Sequence, residues 1–124
     1  MRTILAGVAA VAAFAAPASA ATGPFVGTVV QGETDTHTYD NNPSNNPCLQ
    51  ITADYTVSLR GVPASDTLTL TVLDRSVTTT GGGASLTITR GICTRFDVSV
   101  TGTSVADTAT YVVTVTRQVL PPLS

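Results

Sequence analysis

His37 is the only histidine in this 124-residue chain and stands between Asp35 and Asp40. An imidazole with a carboxylate neighbour has the makings of a general base or of one arm of a nucleophile triad. A triad also needs a serine held on a strained elbow of the form G-x-S-x-G. The nearest approach, Gly83-Ala84-Ser85-Leu86-Thr87, lacks the second glycine. Alternation along a strand puts His37 on one face with Asp35 and Tyr39, so we read it as a partly buried strand histidine satisfied by a neighbour. Acid–base catalysis needs converging titratable groups, and one histidine with eight acidic residues offers few. No catalytic residue and no cofactor is assigned, and the chain is expected not to be an enzyme.

Four other features carry possible chemistry. The oxygen-rich run Asp40-Asn41-Asn42-Pro43-Ser44-Asn45-Asn46-Pro47 could wrap calcium, which takes about six to eight oxygen ligands. It holds one carboxylate and misses the D-x-[DN]-x-[DN]-G spacing, so it reads as an exposed turn and no metal ligand is assigned. Gly81-Gly82-Gly83 lacks the lysine and following helix of a phosphate cradle and reads as a hairpin loop. The T-x-T arrays Thr67-Thr69-Thr71, Thr87-Thr89 and Thr114-Thr116 could form a flat hydroxyl face of the kind that meets ice or polysaccharide, but β-branched threonine is also ordinary strand material. There is no tryptophan to stack on a sugar, and Tyr55 and Tyr111 fall on the apolar parity. Finally, Gly91-Ile92-Cys93-Thr94-Arg95 is the best candidate for a rigid inhibitory loop, with Arg95 beside a possible disulfide.

The start of the chain fixes the compartment expected for all of this. Arg2 precedes an apolar run from Ile4 to Ala16, followed by Pro17 and the small residues Ala18-Ser19-Ala20, the order of a secretory signal peptide. Cleavage is expected between Ala20 and Ala21, giving a mature single domain over 21–124 with its core at about 25–117. The apolar run falls short of the roughly 20 residues that cross a bilayer, so no membrane association is expected after cleavage, and the product is secreted and extracellular. Cys48 and Cys93 are the only cysteines. An even number in an exported chain reads as one disulfide, worth about 4 kcal/mol by the chain-entropy argument for a loop of this length. The formal net charge of −2, with all basic residues arginine, argues against nucleic acid, which demands clustered positive charge.

The elements that would position these residues follow a period of two. Leu49, Ile51, Ala53, Tyr55, Val57 and Leu59 alternate with polar residues. So do Leu68, Leu70 and Val72; Leu86 and Ile88; Phe96, Val98 and Val100; and Tyr111, Val113 and Val115. Such segments bury one face and wet the other. Strands near Phe25 to Val30 and Thr34 to Tyr39 bring the count to about seven, linked by Gly-, Asn- and Pro-rich segments such as Gly61-Val62-Pro63-Ala64-Ser65 and Gly102-Thr103-Ser104. The expected class is all-β, an antiparallel β-sandwich of jelly-roll or Ig-like type.

Gly27-Thr28-Val29 through Gly32, Asp35, Thr36 and Tyr39, then Tyr55-Thr56-Val57-Ser58-Leu59, Asp66-Thr67-Leu68-Thr69-Leu70 and Ala109-Thr110-Tyr111-Val112-Val113-Thr114-Val115 resemble the bacterial pre-peptidase C-terminal domain. That resemblance implies a jelly-roll-like sandwich accompanying secreted hydrolases, serving targeting, solubility or substrate contact without catalysis. The chain departs from the pattern where Asp66 alone represents a pair of aspartates and Phe96 alone an aromatic-rich strand. Cys48 and Cys93 also lie outside the pattern. The calcium and collagen binding of some relatives is therefore not carried over. The expected role is a secreted binding or accessory domain associated with extracellular hydrolases or the cell envelope, whose partner is an unknown protein or polysaccharide. The alternatives are a small proteinase inhibitor and a structural envelope protein.

Overall fold

The alternation of apolar and polar residues decides which face of each strand turns inward. A computed structural model describes residues 20–41 and 50–121. Six strands run through them: β1 (Phe25–Val29), β2 (Thr34–Asp40), β3 (Thr52–Val72), β4 (Arg75–Gly91), β5 (Arg95–Ser104) and β6 (Ala109–Val119). A two-residue pairing of Ala20–Ala21 runs parallel to Thr38 and Tyr39. All strand pairs among the six are antiparallel, and no helix occurs among the described residues. Residues 1–19, where the signal peptide is expected, the segment 42–49 with Cys48, and the last three residues lie outside the described residues.

The count is six rather than about seven because β3 and β4 are far longer than the sequence turns imply, at 21 and 17 residues. In β3 the buried residues are Ala53, Tyr55, Val57 and Leu59, then Val62, Leu68, Leu70 and Val72. Their parity changes from odd to even between Leu59 and Val62, where the register with β4 shifts and Gly61 takes a φ of 75°. An extra residue at a bulge lets a strand bend and return the same face to the core. Gly61 to Ser65 is therefore an irregularity inside a strand, not the expected loop. The expected hairpin loop at Gly81-Gly82-Gly83 likewise lies inside β4; the reversal occurs at Leu73-Asp74, and Arg75 to Thr80, missed as a strand, pairs with the second half of β3.

The bend lets one long hairpin serve two neighbourhoods. The first half of β3 pairs with β6, whose far side carries β1. The second half pairs with β5, whose far side carries β2. The strands thus form one connected network in the order β2-β5-β3-β6-β1, with β4 lying along β3, curled until it is nearly a barrel. Its inner face is the core: Val29, Tyr55, Val57, Leu59, Leu68, Leu70, Val72, Val98, Val100 and Val113 are all fully buried, each such aliphatic side chain contributing about 1.5–3 kcal/mol. At one end Tyr39, Tyr55 and Phe96 pack together, Tyr39 and Phe96 stacked at 5.0 Å. At the other, the side-chain amide of Gln31 donates to Thr103 O and its oxygen accepts from Val105 N, pinning the β1–β2 turn to the end of β5.

Candidate functional site

β1 lies at one end of that curled network and β2, with the two-residue Ala20–Ala21 pairing on it, at the other, and no strand pairing joins β1 to β2 among the described residues. What closes the gap is a side-chain cluster built from residues of three strands. The parity that places Asp35, His37 and Tyr39 together turns His37 inward, where its ring stacks on Phe25 of β1 at 5.0 Å. Tyr111 of β6, 1% exposed, reaches the same point. Its hydroxyl donates to Asp35 Oδ2 at 2.8 Å and lies 2.7 Å from His37 Nε2. A phenol has one proton to give, so with that proton directed to Asp35 the His37 contact must be Nε2–H donating to the Tyr111 oxygen. The chain runs His37 to Tyr111 to Asp35. It fixes the neutral imidazole as the Nε2-protonated tautomer.

Glycine at position 27 makes room for it. A Cβ there would collide with the Tyr111 hydroxyl and approach Asp35 Oδ2 to 2.9 Å. The electrostatics follow from the enclosure. Burial lowers the His37 pKa from 6.5, opposed by the Asp35 carboxylate. Burial, the hydrogen bond to Asp35 and the nearby charges of Asp35 and Glu33 push the Tyr111 hydroxyl far above the usual phenol range. At neutral pH this is a neutral imidazole and a neutral phenol resting on a carboxylate. Tyr111 is the member that sequence reasoning missed, because alternation assigned it to the core and gave no sign that its hydroxyl ends beside two polar groups of another strand.

The other sequence candidates go elsewhere. Ser85 lies on β4 opposite Ser58 of β3, on the outward parity, and is not joined to His37. Asp40, 3% exposed, takes both Nε and Nη2 of Arg95 on one carboxylate oxygen, at 3.1 and 2.6 Å. Arg95, the arginine of the candidate inhibitory loop, is therefore committed to β2. Cys93 sits in the turn between β4 and β5; its expected disulfide partner Cys48, like most of the oxygen-rich run after Asp40, falls outside the described residues. No group of three metal-ligating side chains occurs among the described residues.

The threonines are organised more strongly than T-x-T spacing implies. Strand register lines up Thr34, Thr101, Thr69 and Thr78 in one row across β2, β5, β3 and β4, and Thr36, Ser99, Thr71 and Ser76 in the next. Within the rows the hydroxyls bond each other: Thr34 to Thr101 at 2.8 Å, Thr36 to Ser99 at 3.1 Å, Thr69 to Thr78 at 2.9 Å and Thr71 to Ser76 at 3.0 Å. Thr67 and Thr80 extend the array at 2.8 Å. These residues occupy the outward parity, so four strands present a hydroxyl-covered surface whose side chains hold one another in place. Comparison with family models, with curated proteins and with solved structures finds no match for this chain.

Proposed function

We propose that this chain is a secreted, non-catalytic binding or accessory domain of sandwich-like architecture, acting beside extracellular hydrolases or at the cell envelope. The observation that carries this reading is the in-register threonine and serine array on β2, β5, β3 and β4. Hydroxyls already held by their neighbours lose little freedom on contact, which is the advantage of a preorganised surface. An array spread over the outer face of four strands suits an extended polar partner, such as a wall polysaccharide or the flank of another secreted protein, better than a small molecule, which requires a concave site. The polar side chains of the β1–β2 seam are spent on one another, which supports a structural duty for His37. The commitment of Arg95 to Asp40 sets the proteinase-inhibitor alternative behind this one. The likeness to pre-peptidase C-terminal domains agrees with an accessory role.

In the same reading the disulfide joins Cys93 to Cys48. It ties the β4–β5 turn to the segment that follows β2, next to the Asp40–Arg95 pair, and removal of Arg2 with the signal peptide leaves an acidic mature chain.

The test is a pull-down of the mature protein against culture supernatant and isolated cell wall, repeated with Thr69→Lys and Thr101→Lys together. Capture of wall polymer or of a secreted hydrolase by the natural chain, lost in the double variant, is the expected result. Equal capture by both would remove the hydroxyl face from the function. Hydrolysis of a substrate by the protein alone, abolished in His37→Ala, would overturn the non-catalytic reading.

A further inference from the structure

The side of the molecule opposite the β1–β2 seam is built differently. β4 pairs with β3 alone among the described residues, so its other edge presents backbone donors and acceptors that no strand takes up. Because β4 bends at its glycines, its two ends face one another across a cleft of about 320 Å³. Leu73, Asp74 and Arg75 line one side, and Thr87, Ile88, Thr89 and Arg90 the other. Arg75 spans the mouth, its Nη1 donating to the Thr87 carbonyl at 3.1 Å. Leu73 is 45% exposed and gives the cleft an apolar contact, whereas Ile88, at 6%, is packed into the core. The only ion pair among the described residues is Arg95 with Asp40, so neither Arg75 nor Arg90 holds a carboxylate. Against these two charges the cleft has only Asp74.

We propose that this cleft is a docking site for an extended acidic peptide, which adds as a strand along the free edge of β4 and sets a carboxylate between Arg75 and Arg90. Strand addition supplies the ladder partners that the edge lacks. Alternate side chains of the peptide face the cleft, so an apolar residue two positions from the acid meets Leu73. Arginine carries five donors in a planar fork, and Arg75 spends one on Thr87, leaving donors for a carboxylate oxygen. Charge also selects against a second copy of the chain: pairing β4 antiparallel with itself would bring Arg75 toward Arg90 of the copy, and like charges opposite one another across strands are destabilising. This site is separate from the hydroxyl array and does not depend on it.

The experiment is fluorescence anisotropy on the full mature protein. The probe is a labelled, end-capped peptide of alternating Val and Thr with a central Asp. Saturable binding is expected, weakened about tenfold when the Asp is replaced by Asn and to a similar extent in Arg90→Gln. Binding should weaken as salt rises, because the pair is near the surface. A peptide methylated on alternate backbone nitrogens should fail to bind, which acid recognition without strand addition would not require. Arg90 is exposed, and an unchanged urea midpoint for Arg90→Gln would show that the fold is intact. Absence of saturable binding, equal affinity of the Asn peptide, or full binding by the methylated peptide would each overturn the proposal. So would sedimentation showing a dimer of the natural chain that Arg75→Glu tightens, by setting the new carboxylate against Arg90 of the copy, since the edge would then belong to a second copy.

Discussion

The two open sides of this curled sheet are protected by opposite means. At the seam, β1 and β2 do not pair with each other among the described residues, and beyond the short Ala20–Ala21 pairing on β2 the gap is filled by Phe25, His37, Tyr111 and Asp35, held by stacking at 5.0 Å and hydrogen bonds of 2.7 and 2.8 Å. At β4 the gap is left open and a single guanidinium, that of Arg75, covers one carbonyl. An unpaired edge invites another strand, and natural sheets blunt it either by covering it or by placing charge on it. The seam is covered and contributes to stability; the β4 side is guarded by charge and contributes little. That difference says where the molecule can tolerate change and where it can accept a partner.

The comparison breaks most severely at Gly27. A Cβ there meets the Tyr111 hydroxyl and Asp35 Oδ2, so Gly27→Val forces the seam apart, and we expect a loss of about 3 kcal/mol, read as a fall in the urea midpoint. Tyr111→Phe keeps the ring but leaves Asp35 and His37 without their shared partner. A loss of about 1–3 kcal/mol is expected for stranding such groups, with Asp35→Asn in the same background recovering part of it.

Acidification tests the same cluster more gently. The folded-state pKa of His37 lies below its ordinary 6.5, through burial opposed by Asp35. The unfolded chain therefore binds the proton first as pH falls. The His37 contribution is present in full above pH 6.5 and is lost as pH falls through the lowered value. Asp35, Tyr111 and Glu33 are the titratable groups around it, and Tyr111 stays protonated throughout. Urea midpoints measured across this range should decline in the natural chain and decline less in His37→Gln; parallel declines would show that other groups carry the dependence. The smallest effect is expected on the open side. Arg75→Ala removes an exposed side chain with one hydrogen bond and should cost at most about 1 kcal/mol. A loss as large as that from Tyr111→Phe would mean that the two sides are stabilised alike.

Strand faces are legible in the residue pattern. The alternation in Tyr55, Val57 and Leu59, in Leu68, Leu70 and Val72, and in Phe96, Val98 and Val100 marks the inner face correctly, as their burial shows, because a period of two leaves no other way to separate apolar from polar side chains. His37 likewise reads correctly as a half-buried strand residue with a polar neighbour. The boundaries are less legible. Gly61 and Gly81 look like loop punctuation, yet both lie within strands, because a glycine at positive φ serves a bulge as well as a turn. The parity change from Leu59 to Val62 is the signal in the sequence that one strand continues through a bend.

The amino-acid sequence determined the class of the fold, the inward face of each strand and the threonine content of the outer faces, since these follow from side-chain chemistry at a period of two. Tertiary structure alone decided that Tyr111 meets Asp35 and His37 across 76 and 74 residues of chain, that the hydroxyls form rows across four strands, and that Arg75 and Arg90 face one cleft. Each of these depends on which strands pair and in what register, which is set by the joint burial of all the inner faces at once and by no local run of residues.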